Sequence, residues 1–110
     1  MLNTKTPPIS KRLKKIRGFR GLSQKALGIK SGIDEFSASA RMNQYETGKH
    51  VPDYNTLTRI AKVLKVPVVY FYCDNDSIAE LILAWSKLTK SEKDQLLVHA
   101  QMMGDTTDTE

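Results

Sequence analysis

Apolar residues recur along this chain at steps of three and four, the period of an α-helix that buries one face. Ile9, Leu13 and Ile16 form a first stripe, with Lys11, Arg12, Lys14, Lys15 and Arg17 opposite, Ser10 as N-cap and Gly18 and Gly21 near the end. Ser23 caps a second helix in which Leu27 faces inward, and Gly32 closes it. A third helix is expected from about Asp34 or Ser37 to Thr47, anchored by Met42 and stopped at Gly48. Asp53 caps a fourth, striped by Tyr54, Leu57, Ile60, Ala61 and Leu64, and Pro67 starts a short fifth through Val68, Val69, Phe71 and Tyr72.

After Asp74-Asn75-Asp76 the composition changes. Ile78, Leu81, Ile82, Trp85 and Leu88 stripe a sixth helix. Ser91, with Asp94 three residues on, caps a seventh that carries Leu96, Leu97, Ala100 and Met103, is widened by Val98 and Met102, and is closed by Gly104. The single β-branched cluster, Val66–Tyr72, contains a proline, so no strand is predicted. The expected fold is all-α. A five-helix domain spans 9–73 and a helical hairpin 74–104, between a flexible tail at 1–8 and an acidic tail at 105–110.

Charge divides the chain more sharply than its net of +5 suggests. Residues 1–50 hold eleven Lys and Arg against three acids, whereas residues 71–110 hold three Lys against eight acids. A basic front on an acidic rear points to a polyanion facing the first half. Cys73 is the only cysteine, so neither an internal disulfide nor a Cys-based zinc site is expected. No apolar run approaches the roughly 20 residues that span a bilayer, and Met1–Pro8 lacks the apolar core of a signal peptide. A cytoplasmic protein without membrane contact, metal or cofactor is the expectation.

Within Ser23–Gly48 a polar helix start, a small residue, a glycine turn and a polar second helix follow in the order a helix-turn-helix requires. Gln24 in the first turn can donate to a DNA phosphate where the helix's positive end also points. An interior glycine costs about 1 kcal/mol against alanine, so Gly28 implies a close crossing of two helices. Catalysis finds no support: His50 and His99 are far apart, Cys73 has no adjacent histidine, and no glycine-rich phosphate loop occurs. The protein is expected not to be an enzyme.

These elements resemble the Cro and phage-repressor (xenobiotic-response-element-like, lambda-repressor-like) helix-turn-helix regulators from Ile9 to Tyr72. LSQKAL at 22–27, NQYETGK at 43–49, P-D-Y-x-T-L at 52–57 and RIAKVLKVPVVYFY at 59–72 carry the likeness. Two departures stand out. Gly28 replaces the usual alanine at the helix crossing, and Gly32 to Glu46 is four residues longer than usual, around Ile33–Phe36. The excess either lengthens the turn or adds a turn to the recognition helix; Asp34 as cap and Glu35 in the first turn favour the second, with Phe36 tucked against the core.

The resemblance implies base contacts from Ser39, Ala40, Arg41, Asn43 and Gln44. Arg41 would suit guanine, Asn43 or Gln44 adenine, and Ala40 a thymine methyl. It implies phosphate contacts from Gln24, Lys25, Lys49 and His50, with help from Arg17 or Arg20 and with the Tyr45 hydroxyl toward the backbone; Glu46 would pair with an arginine inside the domain.

The last two helices carry more apolar surface than a five-helix domain needs. They either pack back on it or present Leu81, Trp85, Leu96, Val98 and Met102 to a second subunit. The expectation is a homodimeric repressor that occludes a double-stranded operator, without a small-molecule effector. An antitoxin that autoregulates its promoter is the alternative, with the hairpin neutralising a toxin.

Overall fold

The computed structural model describes residues 8–105 as six α-helices and one 3-10 turn, with no strand among the described residues. The helices are α1 (Ile9–Phe19), α2 (Gln24–Lys30), α3 (Glu35–Thr47), α4 (Tyr54–Leu64), α5 (Asp76–Ser86) and α6 (Lys90–Asp105); the 3-10 turn, Val68–Tyr72, lies between α4 and α5. The tail residues 1–7 and 106–110 fall outside the described residues.

One core closes the first five elements. Ile9, Leu13 and Ile16 of α1 meet Leu27 of α2, Met42 and Tyr45 of α3, and Leu57, Ile60, Ala61 and Leu64 of α4. Tyr70 and Phe71 of the 3-10 turn complete it, their rings edge to face at 5.5 Å. The expected fifth α-helix is thus a 3-10 turn, held by the Tyr70 amide donating to the Pro67 carbonyl at 3.0 Å. Its three-residue period turns Tyr70 and Phe71 inward and leaves Val69 and Tyr72 exposed. Tyr54, expected in the α4 stripe, is also exposed, because it occupies the first position of the helix, at the rim.

Side-chain caps fix most helix starts. Ser23 accepts from the Ala26 amide, Asp34 from Phe36, Asp53 from Thr56 and Asn75 from Ile78, at 2.7–3.0 Å. Two expected caps are corrected. α1 begins one residue before Ser10, after Pro8, with no side-chain cap. α6 is opened by Thr89 and not Ser91: the Glu92 amide donates to Thr89 Oγ1 and the Thr89 amide to Glu92 Oε1, a reciprocal capping box. Gly104 lies inside α6, which continues to Asp105.

The hairpin is tied to the domain through α5. Arg12, its side chain 3% exposed, donates from Nε to the Cys73 carbonyl and from Nη2 to Asp76 Oδ1, both at 2.9 Å, and lies over the Tyr70 ring. Ala79 of α5 is buried, with Ile82 and Leu83 partly so. α6 buries no residue at all. The radius of gyration is therefore 16.7 Å, against about 13 Å for a compact domain near this size.

Candidate nucleic-acid interface

Seven residues of α2 and thirteen of α3 are joined by a short turn that has little freedom. Gly32 takes φ of +92°, a conformation that glycine adopts without strain, and lets the Ile33 amide donate back to the Gly28 carbonyl at 2.9 Å. Arg59 of α4 donates to the Ser31 carbonyl at 3.0 Å and pins the turn to the body of the domain. At the helix crossing Gly28 lies against Ala38 with no room for a side chain. α3 starts at Glu35 with Asp34 as cap, so Ile33–Phe36 contribute the start of the helix and the turn stays short.

Beneath α3 runs a polar chain. Arg17 donates to both carboxylate oxygens of Glu46 (Nε to Oε2, and Nη2 to Oε1 at 3.0 Å) and from Nη1 to the Leu22 carbonyl. The Glu46 carboxylate is 3% exposed, and its hydrogen bond raises the pKa of the Arg17 guanidinium further above its ordinary value. Gln24 Nε2 then donates to Glu46 Oε1 at 3.0 Å and to Asn43 Oδ1 at 3.1 Å. Both residues are thereby engaged inside the domain. Arg17 is a clamp on Glu46, each of its three nitrogens donating to a partner. Gln24 uses both amide hydrogens on α3, and with the Ala26 amide donating to Ser23 the first-turn amides of Gln24 and Lys25 are the backbone donors at this end of α2.

The faces of α3 follow from its period. Ala38, Met42, Tyr45 and Glu46 are buried. Opposite them, at steps of four, three and four, lie Phe36, Ala40, Asn43 and Thr47, all exposed. Ser39 borders this stripe on one side and Gln44 on the other, while Arg41 sits nearer the core edge. There Arg41, Gln44, Tyr45, His50, Asp53 and Thr56 line a concavity of about 460 Å³. Tyr45 belongs to the core and only borders this groove. Asp53 is held ionised below the usual carboxylate range by the Thr56 amide it caps, with Arg59 assisting.

Lys25, Lys49 and His50 are exposed at the margins. Phe36 is the clear correction: it is 91% exposed, far from the core position expected of it. Sequence reasoning also passed over Thr47. The signal for both was available, because they lie seven before and four after Asn43, on one helical line.

Among the described residues no group of His, Cys, Asp and Glu could hold a metal ion, and no helix is long and apolar enough to cross a membrane. Two helices held at a fixed crossing by a glycine turn, the second with a braced polar outer face, define a helix-turn-helix protein. No family model and no curated protein matches the chain. The crystal structure of the transcriptional regulator BswR does: it aligns with a TM-score of 0.84 and 46% identity over 90% of this chain and 98% of that one. The chain belongs to the same family as that protein.

Proposed function

We propose that this chain is a transcriptional regulator of the Cro and phage-repressor kind, which binds a double-stranded operator sequence-specifically as a homodimer and represses by occlusion. The observation that carries the reading is the outer face of α3, on which Asn43 is oriented by Gln24 and, through Glu46, by Arg17. A side chain held in this way meets a base edge with little ordering cost. Asn43 Oδ1 keeps a second lone pair and Nδ2 its hydrogens, the pair of functions that adenine N6 and N7 require. The 46% identity to a transcriptional regulator supports the same reading.

Ser39, Ala40, Arg41, Asn43 and Gln44 are the proposed base contacts; Lys25, Lys49, His50 and the backbone amides of Gln24 and Lys25 are the proposed phosphate contacts. One helix-turn-helix covers only a few base pairs, and dimers read half-sites about 34 Å apart. The exposed apolar residues Leu81, Trp85, Val98 and Met102, with Leu96 half-buried in the hairpin cleft, supply a surface for the second copy.

The deciding experiment selects duplexes from a random pool and titrates them at two salt concentrations. Binding that weakens steeply with salt, with a shallower slope for Lys49→Ala, is expected. Arg41→Ala should flatten the preference among sequences. Failure to enrich any sequence overturns the reading, and co-purification of a small neighbour-encoded protein with no enrichment would favour the antitoxin.

A further inference from the structure

Phe36 has no role in holding the fold together. Its ring is 91% exposed although its backbone is fixed, the Phe36 amide donating to Asp34 Oδ2 at 3.0 Å. A lone exposed apolar side chain needs no explanation, but this one occupies a particular place. It stands in the first turn of α3, the end of a recognition helix that enters the major groove. It also lies on the same helical line as Ala40, Asn43 and Thr47, so whatever surface meets Asn43 extends over Phe36.

We infer that Phe36 is a specificity residue that packs on the C5-methyl group of a thymine at the edge of each half-site. This assignment rests on the DNA-binding reading above and extends it to the first turn of α3. The major groove offers apolar atoms chiefly as thymine methyls, and phenylalanine is among the side chains that fit them. The Phe36 ring offers a phosphate neither charge nor hydrogen-bond donor, which leaves the apolar atoms of the groove as its partner.

Uracil tests the contact directly, since it lacks only the methyl group. Each thymine of a selected operator is replaced singly by deoxyuridine, and the Kd is measured for the full chain and for Phe36→Ala. At one thymine per half-site the parent chain should lose about fourfold in affinity, the value of one methyl returned to water. Phe36→Ala should bind the thymine operator more weakly and be indifferent to that uracil, with Phe36→Leu retaining part of the response. Exposure of the ring makes the variant's fold secure, and circular dichroism checks it. If both proteins respond alike to every uracil, the assignment fails while DNA binding stands. If Phe36→Ala alters only the oligomeric state, Phe36 is a subunit contact and the assignment again fails. No binding of any duplex by either protein removes the DNA-binding reading itself, and this inference with it.

Discussion

A Cβ atom placed on Gly28 would lie 2.8 Å from the Cβ of Ala38 and 3.0 Å from the Ala38 carbonyl oxygen. Both are fixed atoms of the facing helix, so relief requires α2 and α3 to move apart. Gly28→Ala would gain about 1 kcal/mol in helix propensity, yet overpacking a tight contact costs typically about 1–3 kcal/mol. The variant is expected to be less stable on balance, with a lower urea midpoint. Ala38→Gly in the same chain should recover part of the loss, a coupling that a double-mutant cycle reads directly.

Arg17 offers a second test, because it separates bracing from phosphate binding. Arg17→Ala strands the Glu46 carboxylate, a loss of about 3 kcal/mol for a buried pair broken on one side. Operator affinity should fall, since Gln24 and Asn43 lose their support, but the slope of log Kd against log salt should match that of the parent. A slope smaller by about one unit would mean that Arg17 neutralises a phosphate.

Asp76 sets a pH dependence whose sign is fixed. Hydrogen bonding to Arg12, with Lys11 and Arg12 as neighbouring charges, lowers its pKa below the ordinary carboxylate value. A depressed folded-state pKa contributes stability in full above the unfolded value of about 4 and loses it as pH falls through the folded value. Urea midpoints taken from neutral pH downward should therefore decline more steeply for the parent than for Asp76→Asn once below about pH 4. Between pH 5 and 8, above both the folded and the unfolded pKa, the two curves should run parallel with the variant lower.

The hairpin supplies a fourth test. Val98→Glu combined with Met102→Glu places two charges on the exposed face of α6, where neither side chain supports the core. Sedimentation equilibrium should show the parent as a dimer and the double variant as a monomer with an unchanged helix-turn-helix domain. A palindromic operator should then bind the variant far more weakly, and a single half-site equally. A monomeric parent at tens of micromolar, with and without DNA, would overturn the proposed dimer.

Much of this arrangement was legible in the sequence. Strong stripes such as Leu57-Ile60-Ala61-Leu64 and short-range caps such as Ser23, Asp34 and Asp53 are local physics, and they appear as expected. Phe36 was misread because apolarity was equated with burial, whereas the phase of α3 is set by Ala38 and Met42 and sends position 36 outward. The Arg17 pairing was not legible because sequence does not show which of several adjacent basic residues faces Glu46 across 29 positions. Ser91 lost to Thr89 because both begin a plausible box, and only Thr89 has a glutamate three residues on that reaches back.

α6 is sixteen residues long and buries none of them. A helix of that length holds only marginally in water on its own, so its order depends on what covers it. If the cover is a second copy, folding of this segment, pairing of the chains and occupancy of two half-sites all draw on one quantity, the abundance of the protein. Amide exchange in α6 would slow as the chain is concentrated, while exchange in α1 to α4 would not. The regulator would then carry its own gauge of dose, with no metabolite needed to set it.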